Sequence, residues 1–313
     1  MLGGGVPCLH VAEREALGMK IDVCICTYRR AHIRDTLLSV GAATIPDGAA
    51  VNIIVIDNDV TPSASERVAE AAKAIQLPIA YHHVAGANIS IARNAALDRA
   101  SADWIAFLDD DEVVDPDWLT NLIARQVETG ADGIFGPSYA NYGKDAPAWI
   151  REGDFHSQFA APRDGIVQTG HTCNGLLRWR GTPWQSQRFD ITRGKSGGED
   201  TEFFFRLWRM GAVYAIATDA IVREDVPPAR LSLHWLLSRR FRMGQSYAAS
   251  AQSPMRRAQL FSLAAVKSAY CYLRTVPNLR NPVKKAFWMM RATMHAGVCA
   301  GCLGVRQPEL YGG

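Results

Sequence analysis

Trp104-Ile105-Ala106-Phe107-Leu108-Asp109-Asp110-Asp111-Glu112 is the stretch on which the reading of this chain turns. Trp104 to Leu108 is a short apolar run of the kind that forms a strand buried on both faces. It ends in four consecutive acids, a density of charge that no packed interior tolerates without a partner. Carboxylates at a strand's end, with Asp109 and Asp111 two positions apart, can direct their oxygens at one hard cation. Oxygen-only ligation suits Mg2+ or Mn2+, which keep open positions for phosphate oxygens. The alternative is a solvated acidic turn before a helix that starts near Asp115-Pro116, with Asp115 as its cap.

Upstream, Ile21 to Cys26 reads as a strand, followed by Thr27-Tyr28-Arg29-Arg30 and a helix over about 31–43. Val51 to Ile56 is a strand rich in β-branched residues, and it too ends in acids, at Asp57-Asn58-Asp59. Ser63 and Glu66 have the spacing of a capping box opening a helix to Ile75. Ile79 to His83 is a third strand, and Gly86-Ala87-Asn88 turns into a helix over Ser90–Arg99. Strands alternating with helices at this spacing predict right-handed βαβ units and a mainly parallel sheet, an α/β fold. Ligands of such sheets sit at the carboxyl ends of the strands. Here those ends carry Thr27-Tyr28, Asp57 and Asp109 to Asp111, which predicts one polar cleft.

Downstream of Pro116 a helix runs to about Thr129, and an apolar segment lies around 133–139. Residues 141–170, rich in Gly, Pro, Asp and Trp, read as irregular. Asn174 to Trp179 returns to strand character, and 181–198 reads as loop. Glu199 and Asp200 open a helix with a large apolar face, where carboxylates also suit the helix dipole. Short strands are expected at Val213–Ile216 and Ala220–Val222.

Net charge is +3 over 313 residues of 48% hydrophobic content. The balance hides a split. From Val226 onward there are thirteen Lys and Arg against one acid, Glu309, whereas the residues before it carry 21 basic against 30 acidic. An acidic body and a basic, apolar tail have different surroundings, and the tail suggests an anionic partner, either lipid or nucleic acid. The expected domains are a leader over 1–18 without periodic pattern, a catalytic body over 19–228, and a helical basic region over 229–313. The run 286–305 has a span's length, but Arg291 and His295 make spanning costly, so a helix lying in the membrane interface is expected. A helical pair packed on the catalytic body or forming a homodimer is the alternative. Seven scattered cysteines argue against a secreted disulfide scaffold, and the lone pair Cys299 and Cys302 does not make a zinc site. The N-terminal residues lack the apolar core of an export signal.

The succession Cys26-Thr27-Tyr28-Arg29-Arg30, Ile54-Val55-Ile56-Asp57-Asn58, Ala92-Arg93-Asn94, Phe107-Leu108-Asp109-Asp110-Asp111 and Gly198-Glu199-Asp200 resembles the family 2 glycosyltransferases. Within them it is most similar to bacterial exopolysaccharide enzymes of the succinoglycan glucosyltransferase type, over about residues 20–245. The resemblance implies the GT-A fold, a nucleotide-diphosphate sugar donor, a divalent metal and inversion at the anomeric carbon. It implies that Thr27, Tyr28 and Arg30 line the nucleotide pocket, that Asp57 receives the base edge and that Arg93 holds the nucleotide side. Asp109 and Asp110 would face ribose and metal, with Asp111 the direct metal ligand and Asp200 the catalytic base. Asp57 as an acceptor suits the imide N–H of uracil, which points to a UDP-sugar. Glu199 is the next candidate for the base.

Relatives often carry a His after the strand at Ala220–Val222, where this chain has Arg223-Glu224-Asp225. Glu224 or His234 could complete the metal shell, or Asp111 and phosphate alone could hold the ion. Asn174, His171 and Trp179 could touch sugar or acceptor, with a core or turn role equally open to them, and Trp184 and Trp235 could stack on a sugar face. Arg239 and Arg240 could reach a diphosphate, and a membrane-facing role explains them equally well. The expected activity is transfer of a hexose, glucose by analogy, to a lipid-linked saccharide at the cytoplasmic face of a bacterial inner membrane. A non-catalytic nucleotide-sugar binder is the alternative. Nucleic acid is not an expected partner, because the acidic strand ends would repel phosphate unless a metal intervened.

Overall fold

The structure, a computed structural model, describes residues 18–195, 197–248, 251 and 253–305. The expected leader, apart from Gly18, lies outside the described residues. In chain order the elements are β1 (Lys20–Thr27), α1 (Ile33–Ala42), β2 (Ala50–Asp57), α2 (Ser65–Ala72), β3 (Ile79–His83), α3 (Ile89–Arg99) and β4 (Trp104–Asp109). Then come β5 (Glu112–Val114), α4 (Trp118–Thr129), β6 (Gly133–Phe135), β7 (Ser138–Asn141), α5 (Ala148–Gly153) and β8 (Asn174–Arg178). These are followed by α6 (Glu199–Arg209), β9 (Tyr214–Ile216), β10 (Val222–Asp225), α7 (Leu233–Ala248), α8 (Pro254–Thr275) and α9 (Pro282–Cys302).

The chain forms two compact units. One comprises Met1–Tyr139, Gln158–Ile191 and Glu199–Glu224; the other comprises Ala140–Ser157, Thr192–Gly198 and Asp225–Gly313. Two segments read from sequence as irregular, 140–157 and 192–198, thus cluster with the basic helical region.

The first unit is built on a seven-stranded sheet of order β3-β2-β1-β4-β8-β6-β9. The four strands β3-β2-β1-β4 are parallel, β8 runs antiparallel to both its neighbours, and β6 and β9 are parallel. Apolar side chains cover both faces. Ile21, Val23 and Ile25 pack with Ile33 and Leu37 of α1 on one side, and Cys24, Ile54 and Phe107 pack with Phe203, Phe204 and Leu207 of α6 on the other. Alternate residues of each strand serve opposite faces, which is why the runs are continuously apolar. Register brings the strand ends level: Thr27 lies opposite Asp57 on one side, and Cys26 lies opposite Asp109 on the other.

Asn174, expected as a candidate for sugar contact, is instead a buried strut at 1% exposure. Its carbonyl oxygen accepts from the Trp118 indole N–H at 2.8 Å, and its amide donates to the carbonyls of Pro137 (2.9 Å) and Ala220 (2.7 Å). Gly136 makes room for it, since a Cβ there would lie 2.2 Å from the Ala220 carbonyl and 2.4 Å from the Asn174 amide nitrogen. Trp179 and Trp184 are likewise core residues and offer no face to a sugar; the Trp184 indole donates to the Arg178 carbonyl. The capping box does not form. Helix α2 starts at Ser65, with Ala64 at its N-cap and no side-chain cap.

In the second unit, α7 and α9 cross with their backbones almost touching. A Cβ on Gly244 would lie 2.0 Å from the Met294 carbonyl, and one on Gly297 would lie 1.9 Å from the Phe241 carbonyl. Helix α8 is tied to α9 by the Ser268 hydroxyl, which donates to the Ala292 carbonyl at 2.9 Å. Ser253 and Asn281 cap α8 and α9, each followed by a proline that needs no N–H partner in the first turn. Trp235 stacks on His156 with ring centroids 5.3 Å apart, and the guanidinium groups of Arg230 and Arg239 lie over the same indole. No helix among the described residues is long and apolar enough to cross a membrane.

Replacing Asn174 by alanine strands an indole N–H and two carbonyls in the interior. We expect a loss on the order of 3 kcal/mol in urea unfolding. Asn174→Asp, which sets an acceptor against two carbonyl oxygens, should cost at least as much. A change within experimental error for both variants would refute the strut.

Candidate active site

The site is assembled from strand ends and two helix starts of the first unit. Asp57 closes β2, but its carboxylate is fully buried. One oxygen accepts from the Asp59 N–H (3.1 Å), the other from the Ala64 N–H and the Tyr81 hydroxyl (both 2.8 Å). Burial, and then that bond to Asp57, push the Tyr81 phenol up. Asp57, expected to receive a base edge, uses these bonds to hold the loop over 57–64 and the start of α2. Asn58 continues the work, donating to the Val84 carbonyl (2.7 Å) and accepting from the Asn88 N–H (2.6 Å). Asn88 in turn caps α3 through the N–H groups of Ser90 and Ile91. Asp59 accepts from Arg29 Nε at 2.9 Å, which secures Arg29 at a left-handed φ of 55° and brings its guanidinium 5.0 Å from the Tyr28 ring centroid.

The acidic run is distributed by the strand end. The Thr27 hydroxyl donates to Asp110 at 2.6 Å, across the β1–β4 pair. Arg30 Nη1 lies 3.1 Å from Asp111. Glu112 turns inward, accepting from the Asp109 N–H (3.1 Å) and the Ser138 hydroxyl (2.7 Å), and faces Glu224 across the β5–β10 ladder. Arg93, buried in α3, ties the run to α6: one nitrogen pairs with Glu199 and another lies 3.3 Å from Asp109. Asp200 is half-buried in the first turn of α6. It accepts from the Thr201 N–H (2.6 Å) and lies 3.4 Å from His171 Nδ1. The second Glu199 oxygen is buried with no hydrogen-bond partner among the described residues.

So many carboxylates in one place shift one another. Burial and then the Asp111 charge raise Asp110 to about 7. Asp109 is raised by burial against the pull of Arg93, with Asp111 and Asp200 adding to the rise. Glu112 is raised well above the usual range by burial and Asp109. Asp200 behaves oppositely. Burial would raise it, but His171, Arg93 and the Thr201 N–H bring it down to about 2, so it is ionised throughout the working range. Burial alone would lower Arg30, but Asp111, Asp110 and Glu224 raise it.

Asp109, Asp110, Asp111, Glu199 and Asp200 thus converge on Arg93 and Arg30, while Asp57 does not join them. Among the described residues no three His, Cys, Asp or Glu side chains form a ready-made metal cage. The carboxylate surplus and the unpartnered Glu199 oxygen fit a hard divalent cation held by one or two of these groups, with phosphate oxygens filling its other positions. Glu224 is close enough to Arg30 to act on its charge. His234, exposed on α7, and Arg239 belong to the second unit. The inward role of Glu112 was not anticipated, although the alternation Glu112-Val113-Val114 places it on the face of buried Val114.

The chain is similar to known proteins in sequence and in fold. The model of Glycosyl transferase family 2 matches residues 22–182, and that of Glycosyl transferase family group 2 matches residues 104–300. The chain is 42% identical over 297 residues to the succinoglycan biosynthesis protein ExoM of Rhizobium meliloti (strain 1021), covering 94% of this chain and 96% of that one. It resembles the mannosyltransferase PcManGT from Pyrobaculum calidifontis, solved with GDP-Man and Mn2+, with a TM-score of 0.62 at 16% identity over 94% of each chain. It also resembles S. aureus TarS 1–349 solved with UDP-GlcNAc, with a TM-score of 0.53 at 13% identity over 94% of this chain and 99% of that one. The shared architecture is the GT-A fold.

Removing the Arg93 charge leaves Glu199 buried without its cation, which should cost about 3–5 kcal/mol near neutral pH. Burial already raises Glu199 above its unfolded value. A carboxyl raised in the folded state stabilises while protonated and loses that contribution as pH rises through its folded pKa. The deficit of Arg93→Ala should therefore be larger at pH 8 than at pH 5.5 in urea unfolding. An equal deficit at both would show that Glu199 is not the group released.

Proposed function

The chain belongs to glycosyl transferase family 2, and we propose that it moves a hexose from a UDP-sugar to a lipid-linked saccharide in exopolysaccharide synthesis, with inversion. That it is a glycosyltransferase follows from the family. Exopolysaccharide is supported by the succinoglycan biosynthesis relative, and by analogy the hexose is glucose. The cytoplasmic face of a bacterial membrane is where such an acceptor lies.

The observation that carries the reading is the convergence of Asp109, Glu199 and Asp200 around Arg93, with Asp110 and Asp111 beside them against Arg30. In the proposed reaction Asp200 takes the proton of an acceptor hydroxyl while that oxygen attacks the anomeric carbon and the diphosphate departs on the opposite side. A single displacement needs one base and no carboxylate nucleophile. Asp200 suits the role because it remains ionised, and His171, 3.4 Å away, holds the carboxylate in place. Asp111 and Asp109 would hold Mn2+ or Mg2+, which when bound neutralises charge on the leaving diphosphate. The presence of Mn2+ with GDP-Man in PcManGT supports this assignment. Arg30 and Arg93 already act as counter-charges to the same carboxylates and would offer donors to phosphate oxygens once a cation shares that load. Thr27, Tyr28 and the loop held by Asp57 form the nucleotide side. The unpartnered Glu199 oxygen is available to a sugar hydroxyl.

Asp200→Asn should lower transfer by roughly 10²–10⁴-fold while donor affinity stays within a few-fold, because only the proton acceptor is lost. Asp111→Asn should weaken the response to Mn2+ in both donor binding and transfer. Purified protein, UDP-glucose and a lipid-linked acceptor, with release of UDP measured with and without Mn2+, provide the test. Donor binding without turnover would favour the non-catalytic binder; full activity in Asp200→Asn would remove the proposed base.

A further inference from the structure

The outer face of α8 is largely uncovered by the described residues of its unit, while the inner face is fixed. Ala264, Ser268 and Cys271 are buried, and Ser268 is hydrogen-bonded to α9, so the helix cannot rotate to hide its other side. Leu263, Val266, Tyr270 and Leu273 lie 52–71% exposed. Their spacing of three, four and three residues puts them in one stripe along the helix. Arg256, Lys267 and Arg274 share a line along one edge of that stripe, at the seven- and eleven-residue spacings that repeat on a helix. Aromatic groups gather at the same place: Tyr270 meets Trp288 edge-on at 6.0 Å, and the Arg274 guanidinium lies 5.0 Å from the Trp288 ring centroid. From Val226 to Val305 the sequence contains twelve Lys and Arg and no acid.

We propose that this face of α8 lies on the surface of an anionic lipid bilayer, with the Leu263–Val266–Tyr270–Leu273 stripe in the acyl–headgroup boundary and Arg256, Lys267 and Arg274 on lipid phosphates. An apolar strip this exposed marks an interaction surface. The charge beside it selects the partner. A second copy of the chain would bring the same basic edge against itself, with no acid on the helix to receive it, whereas anionic headgroups complement it. Tyr and Trp beside the stripe suit the headgroup level, where an aromatic body is buried and its polar end stays wet. The inference stands apart from the transferase chemistry, and its readout needs neither donor nor acceptor.

The test is co-sedimentation of the full chain with vesicles of phosphatidylcholine alone and with about 30% phosphatidylglycerol. Binding should be at least about tenfold tighter to the anionic vesicles and should fall at least about tenfold in about 0.5 M NaCl. Leu263→Ser/Val266→Ser/Leu273→Ser and Arg256→Glu/Lys267→Glu should each abolish it with the thermal midpoint unchanged, since all five side chains are exposed. If either variant melts early, the salt and lipid titrations on the unmodified chain decide. Equal binding to neutral and anionic vesicles, no binding to either, or a dimer in light scattering that the serine variant dissociates would overturn the proposal.

Discussion

The candidate site depends on one buried guanidinium. Arg93 is 7% exposed and binds Glu199 of α6 and Asp109 of β4 from its place in α3. A charge so placed is tolerated only if its pairing is close to complete. The Arg93 pairings fix where α6 starts relative to the end of β4, and hence where Asp200 stands relative to the acidic run. Phe189 lies against the same guanidinium, its ring centroid 5.7 Å away, and helps to exclude water from it. The charge that makes the site possible is thus also the element that aligns it.

The acidic run itself works against stability. Asp110 at about 7 and the elevated Asp109 and Glu112 all mean that folding makes ionisation harder there than in the unfolded chain. Such groups persist where binding repays their cost, because a cation and a diphosphate discharge what the protein alone does not. Asp200 sits apart from this trend, held ionised by His171. Carboxylates on one rim thus divide into those that want a proton or a cation and one that refuses a proton until it is delivered by the reaction.

The sheet was legible because its signals were local: apolar runs at β1, β2 and β4 ended in polar residues, and register then aligned those ends. What sequence could not tell was which way an acid turns. Asp22 and Asp57 are both strand acids, and both spend their oxygens on backbone N–H groups of a neighbouring loop. Nothing in residue type separates such an acid from Asp111, because the difference lies in which N–H groups the loop leaves unpaired. Whether Asn174 served the core or a sugar was left open for the same reason, its three partners coming from segments 37 to 56 residues away. Ser63 and Glu66 had capping-box spacing, but the Asp57 carboxylate took the Ala64 N–H and set the helix start two residues later than expected. The antiparallel β8 and the small β5–β10 ladder also rest on long-range pairing that no local pattern encodes.

The charge split, by contrast, was readable at once, and the structure adds how a region of one sign holds together. The helices α7, α8 and α9 meet through glycine contacts and apolar clusters, which need no counter-ions. Arginines there lie against aromatic faces: Arg239 over Trp235, Arg274 over Trp288 and Arg291 over Phe287. A ring quadrupole attracts a guanidinium without neutralising it. The positive field therefore survives folding, and Arg240, whose pKa is lowered by burial and then by Arg239 and Arg291, registers it from inside. Aromatic partners preserve it for an anion outside the protein.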